Sequence, residues 1–111
     1  MVWESVTVLL SHDLAVRADF EVKQGKVHEF KVVLEKADDQ GVPGWLVRYE
    51  THGGRAHKHE RWDDQNEGRH KHPTQWRGDH DELLTKAIED LKQRHMEYEA
   101  RYDAWKQNEN R

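Results

Sequence analysis

The chain has 111 residues, 34% of them hydrophobic and 36% charged, with a formal net charge of −4 and no cysteine. This length accommodates one domain (1–111) with a thin core. The lack of cysteine excludes disulfide bonds and thiolate metal ligands. No apolar run approaches the length of a membrane span. We therefore expect a cytoplasmic protein with no membrane partner.

Apolar and polar residues alternate through the first third of the chain, which is typical of strands with one buried face. A three-residue loop, Gln24-Gly25-Lys26, pairs Phe20 with Phe30, so that apolar residues meet across the hairpin. Upstream, a loop at 11–13 pairs Val8 with Val16. The sequence thus predicts three strands that follow one another as a meander.

Two further strands are predicted on either side of Gly53-Gly54, since glycine tolerates the positive φ of a tight turn. Pairing Thr51 with Ala56 places His57 opposite Glu50 and His59 opposite Arg48.

In the same register, Trp45 lies opposite Trp62 on the core face, and the histidines lie on the other face. A sixth strand, roughly 69–76, contains Pro73 and is therefore predicted at the sheet edge.

A helix is predicted to close the chain. Asp79 is a suitable N-cap, with Glu82 three residues later. One helical stripe begins at Leu84 and ends in the aromatic residues of 98–105, which we expect to project beyond the sheet and to offer a homodimer contact. The predicted fold is α+β, with an antiparallel meander sheet of about six strands (1–77) and one long C-terminal helix (78–108).

Two short repeats, His57-Lys58-His59 and His70-Lys71-His72, are the most informative motif of the sequence. Alternate residues of a strand share a face, so each repeat directs two imidazoles to one side. If the repeats form a hairpin in which His57 pairs with His72 and His59 with His70, four imidazoles converge on one patch.

Such a patch has two chemical interpretations. In one, His57, His59, His70 and His72 bind zinc or another transition metal. In the other, the protein is a metal-independent ribonuclease in which His57 and His59 act as general base and acid, supported by His52.

RNA cleavage also needs cations that stabilise the phosphorane charge, and residues 48–77 hold seven Lys or Arg against five acids. Arg48, Arg55 and Lys58 are the candidates for phosphate binding, and His70 and His72 complete the patch. A third interpretation is a non-catalytic interaction module that uses the C-terminal helix.

Residues 47–59 resemble the TumE-type toxin family of toxin-antitoxin systems. Tyr49-Glu50 matches its aromatic-acidic pair, His52-Gly53 its turn, and His57 and His59 its His-x-His repeat, while residues 87–90 lie where the closing helix is also alike. Glu50 stands where the family usually has Asp, and Thr51 replaces a common Asn. The resemblance implies a growth-inhibiting toxin that acts on RNA and is neutralised by a helix-turn-helix antitoxin.

Overall fold

The computed structural model describes residues 2–52, 55–63 and 72–109, which form one antiparallel sheet and one long helix. Five long strands and a two-residue sixth strand follow one another in the order β1-β2-β3-β4-β5-β6, so the predicted α+β meander is confirmed. The elements are β1 (Val2–Leu9), β2 (Leu14–Lys23), β3 (Lys26–Ala37), β4 (Pro43–His52), β5 (Arg55–Glu60), a 3₁₀ turn (Arg61–Asp63), β6 (His72–Pro73) and α1 (His80–Glu109).

The first two hairpins have the predicted registers. Val8 pairs with Val16, and Phe20 pairs with Phe30. The second turn is shorter than predicted, because Gln24 and Gly25 alone form it, with φ of 54° and 78°. A bulge between Glu21 and Val22 adds one residue and restores the predicted pairing farther along the ladder.

The core lies between one face of the sheet and α1, and we call this side the helix face. It is lined by alternate residues of β2, β3 and β4, because directly paired residues of an antiparallel ladder share a face. The helix contributes its own apolar stripe. The buried members include Val16, Ala18, Val32, Leu34, Val47, Tyr49, Leu84, Ala87, Leu91 and Tyr98.

A bulge in β4 overturns the predicted position of Trp45. The register shifts between Leu34 and Glu35, so that Trp45 pairs with Glu35, while Leu46 is fully buried in the core. Trp62 does not pair with Trp45 either, because β5 ends at Glu60 and Trp62 belongs to the 3₁₀ turn.

The helix begins as predicted at Asp79, whose side-chain oxygen accepts a hydrogen bond of 3.0 Å from the Glu82 N–H. The prediction that its aromatic end projects is wrong. Tyr98 and Tyr102 are buried, and Trp62 stacks on Tyr98. The 3₁₀ turn thus supplies the cover that the strands alone lack, and the aromatic end is part of the core. Among the described residues, no helix has the apolar length that crossing a membrane requires.

Candidate functional site

The β4–β5 hairpin carries the predicted site, and its register is confirmed. His57 pairs with Glu50, and His59 pairs with Arg48. Tyr49, which alternates with these residues, faces the helix and donates a hydrogen bond to Asp90. Arg48, Glu50, His57 and His59 therefore lie on the opposite side of the sheet, which we call the outer face.

Glu50 links an imidazole to a guanidinium on this face. Its Oε1 lies 3.0 Å from Nε2 of His59, and its Oε2 lies 3.7 Å from Nε of Arg48. The Arg48 guanidinium in turn lies 4.7 Å from the centre of the Trp45 ring. These contacts hold the His59 ring and the Arg48 guanidinium in defined orientations, since a carboxylate orients the side chains that it contacts.

The depth of His59 differs from the prediction. Its exposed fraction is 0%, whereas His57 is only half-buried. A histidine without solvent exposure does not reach an RNA backbone, so the expectation that His57 and His59 lie together on an open patch is wrong. Within the hairpin, His57 is the more accessible histidine, and His59 is the one in contact with Glu50.

The predicted four-histidine patch requires a register that β5 and β6 do not have. Lys58 pairs with His72, and His57 pairs with Pro73, a shift of one residue from the predicted pairing. In this register His57 is not opposite position 72, so the predicted pairing of these two positions is wrong. His70 lies outside the described residues, as do the side chains of His52 and His72. The part of the chain that is described contains no group of three or more potential metal ligands.

Lys58 also lies on the helix face, which corrects the prediction that it joins the phosphate-binding residues. Its Nζ donates a hydrogen bond of 2.8 Å to the Tyr98 hydroxyl and lies 4.7 Å from the centre of that ring. Burial lowers the pKa of Lys58, although the nearby carboxylates of Glu60 and Asp90 oppose this shift.

The sequence interpretation missed a polar network inside the core. The hydroxyls of Tyr49 and Tyr98 each donate a hydrogen bond of 2.6 Å to the same oxygen of Asp90. Burial and these hydrogen bonds raise the pKa of both tyrosines. Arg94 lies 3.4 Å from the other Asp90 oxygen. The one feature of the sequence that could have indicated this network is the carboxylate at position 90, directly before the core residue Leu91.

Arg55 occupies the predicted region at the start of β5, where it is exposed and pairs with His52 of β4. It shares the outer face with His57, because the two residues are separated by one position of the strand. The outer face therefore brings together Arg48, Arg55, His57 and the buried His59 of the predicted site residues. Lys58 is on the other face.

The fold and this cluster define a small α+β protein that carries two histidines, a carboxylate and two guanidinium groups on the outer face of a meander sheet. The chain belongs to the family described as Domain of unknown function (DUF7718), whose match covers residues 1–108. No curated protein and no solved structure matches the chain.

Proposed function

We propose that the protein is a toxin-like, metal-independent ribonuclease that acts from the outer face of the β4–β5 hairpin. The observation that carries the proposal is the Glu50 carboxylate, which contacts His59 at 3.0 Å, is flanked by Arg48 and pairs with His57. A proton acceptor, an orienting carboxylate and a phosphate-binding cation thus occupy adjacent positions of two paired strands.

In the proposed reaction, the 2′ oxygen of a ribose attacks the neighbouring phosphorus atom while His57 accepts the 2′-hydroxyl proton. The bond from phosphorus to the 5′ oxygen breaks, and the leaving 5′ oxygen takes a proton from water. The products are a 2′,3′-cyclic phosphate and a 5′-hydroxyl end. Arg48 and Arg55 stabilise the negative charge that develops on the phosphorus-bound oxygens. His59 and Glu50 serve as positioning residues.

The biological setting follows from the resemblance to TumE-type toxins. A ribonuclease of this kind acts in the cytoplasm, stops growth and is bound by a helix-turn-helix antitoxin. A homodimer through the C-terminal helix is predicted to use the aromatic residues at its end. Tyr98 and Tyr102 are buried, so they are not available for that contact. The same burial removes the support for a purely interaction-based role of the helix end. The metal interpretation loses its support with the shifted β5–β6 register.

The direct test is cleavage of a single-stranded RNA by protein treated with a chelator. We expect products with 2′,3′-cyclic phosphate ends, and a rate that falls by about 10²- to 10⁴-fold in His57→Gln, the range for loss of a general base. His12→Gln is the matched control, because His12 is 92% exposed at a remote turn. Equal rates in the two variants, or activity that returns only with added zinc, would overturn the proposal.

A second test addresses the toxin role. Expression of the wild-type chain should arrest growth, whereas His57→Gln at the same protein level should not. Arrest by both proteins alike would argue against RNA cleavage as its cause.

A further inference from the structure

A surface cleft of about 410 Å³ lies beside the start of β5, and it shares Arg55 with the outer face but contains neither Glu50 nor His57. The segment that follows β6 forms its other wall, and a hydrogen bond of 3.0 Å from the Thr74 N–H to the Ala56 carbonyl attaches that segment to β5. The cleft is lined by Arg55, Thr74, Gln75, Trp76 and Arg77. None of these lining residues is acidic, so the cleft combines two cations with an indole and two neutral polar groups.

The two guanidinium groups of the cleft differ from the other arginines of the described segments. Arg17, Arg48, Arg94 and Arg101 lie within ion-pair distance of carboxylates, and Arg61 lies over the rings of Trp45 and Trp105. Within residues 2–52, 55–63 and 72–109, Arg55 and Arg77 have neither an acidic nor an aromatic partner. A guanidinium without an internal anion retains all its donors for an external one, and its planar fork matches a phosphate.

Trp76 adds a fixed aromatic surface to the cleft. Its ring stacks on Tyr49 with 4.9 Å between the ring centres and an angle of 27°. Tyr49 is itself held by the hydrogen bond of 2.6 Å to Asp90. The indole therefore has a defined orientation before any ligand binds, which lowers the entropic cost of stacking a base on it.

The geometry points to a binding site for one nucleotide of single-stranded RNA, with its phosphate between Arg55 and Arg77 and its base against Trp76. Aromatic stacking combined with cationic backbone contacts is how proteins bind single strands without a strict sequence preference. Thr74 and Gln75 supply hydrogen-bonding groups for the sugar or the base edge.

This inference rests on the proposed function in one respect. It requires that the RNA bound in the cleft extends to the phosphodiester that is cleaved beside His57. Arg55 and His57 lie on the same face of β5, about 6.6 Å apart for a strand that rises about 3.3 Å per residue. A strand anchored in the cleft can therefore pass along the outer face beside His57. The cleft would hold the RNA, and the Glu50 cluster would act on it.

The test measures binding of a fluorescent oligodeoxyuridylate, which lacks the 2′-hydroxyl and cannot be cleaved by this route. Arg55→Glu and Arg77→Glu should each weaken binding at least tenfold, because each replaces a phosphate ligand by a repelling charge. Lys23→Glu is the matched control, since it makes the same change of charge at the exposed last residue of β2. Its binding should change less than twofold.

Two further variants separate stacking from charge. Trp76→Phe keeps an aromatic ring next to Tyr49 and should weaken binding severalfold without loss of the folded state, which circular dichroism checks. Arg77→Lys keeps the charge but loses the planar guanidinium with its paired N–H donors. It should bind more weakly than wild type and more tightly than Arg77→Glu. Binding by the two glutamate variants equal to that of Lys23→Glu would overturn the site. Equal competition by polyglutamate would overturn its assignment to nucleic acid.

The outcomes distinguish this site from the cleavage proposal. If wild type binds the oligodeoxynucleotide through Arg55 and Arg77 but cleaves no RNA, the cleft stands and the ribonuclease proposal fails. If wild type cleaves RNA while Arg77→Glu binds and cleaves normally, the ribonuclease proposal stands and the cleft fails. His57→Gln should bind the oligodeoxynucleotide as tightly as wild type.

Discussion

The Tyr49 hydroxyl donates a hydrogen bond of 2.6 Å to the Asp90 carboxylate and thereby joins the middle of β4 to the middle of α1. Asp90 accepts a second hydrogen bond of the same length from Tyr98. The sheet and the helix are thus joined by a polar contact within the core.

Replacing Asp90 by alanine should lower the free energy of unfolding by about 1–3 kcal/mol, because two buried hydroxyls lose their acceptor. Urea unfolding measures the change. Glu89→Ala is the control, since the Glu89 side chain is 50% exposed on the same helix, and we expect it to change stability by less than about 0.5 kcal/mol. Equal midpoints for the two variants would contradict the role given to Asp90.

Stability should fall as the pH rises above 10. The pKa of Tyr49 and of Tyr98 is raised in the folded protein, by burial and by the hydrogen bonds to Asp90. Below the ordinary tyrosine pKa of about 10, both states are protonated and the full contribution is present. Above that pH, the unfolded chain loses protons that the folded chain keeps, so stability declines by up to about 1.4 kcal/mol per pH unit for each tyrosine.

The Tyr98→Phe variant tests this effect, since it removes one of the two titrating hydroxyls and keeps the aromatic ring. Between pH 10 and 11.5 its stability should decline less steeply than that of wild type in urea titrations. Lys58 changes the stability with pH in the opposite direction. Because its pKa is lowered in the folded protein, stability rises with pH until the unfolded lysine also loses its proton near pH 10.5. Parallel declines in Tyr98→Phe and wild type would show that this tyrosine does not keep its proton.

The turn between β2 and β3 should become more stable in Gln24→Asn. Gln24 has a φ of 54°, a conformation that costs most residues about 1 kcal/mol and that asparagine adopts more readily. Asparagine followed by glycine is the preferred pair for a two-residue turn of this kind. We expect a gain of a few tenths to about 1 kcal/mol in thermal unfolding. Gln40→Asn in an exposed loop controls for composition, and a loss of stability in Gln24→Asn would contradict the turn assignment.

Glu50→Gln should reduce the rate of RNA cleavage more than tenfold while the affinity for uncleavable oligonucleotide stays within twofold of wild type. The reason is that the variant loses the carboxylate charge beside His57, His59 and Arg48 but retains the shape of the side chain. The pH–rate profile should shift as well, a change that a purely structural role would not produce. Glu29→Gln, an exposed residue of β3, is the control. Equal reductions in rate and affinity would assign Glu50 to binding.

Local periodicity was sufficient to predict the meander, because a strand with one buried face tolerates few registers. The pair Phe20 with Phe30 follows from the requirement that apolar residues share a side, and the pair Thr51 with Ala56 follows from the tight turn predicted at Gly53-Gly54. The N-cap at Asp79 is likewise a local property of the chain, since its partner lies only three residues away.

What the sequence by itself determined is therefore the element order, the hairpin registers and the face on which His57 and His59 lie. Only the tertiary structure decided how deeply each side chain is buried and where one extra residue enters a ladder. The bulge that buries Leu46 and the register that pairs His72 with Lys58 cannot be recognised from the local alternation of apolar and polar residues. Burial of His59 and Tyr98 depends on elements distant in the chain, and a short sequence window carries no information about such packing.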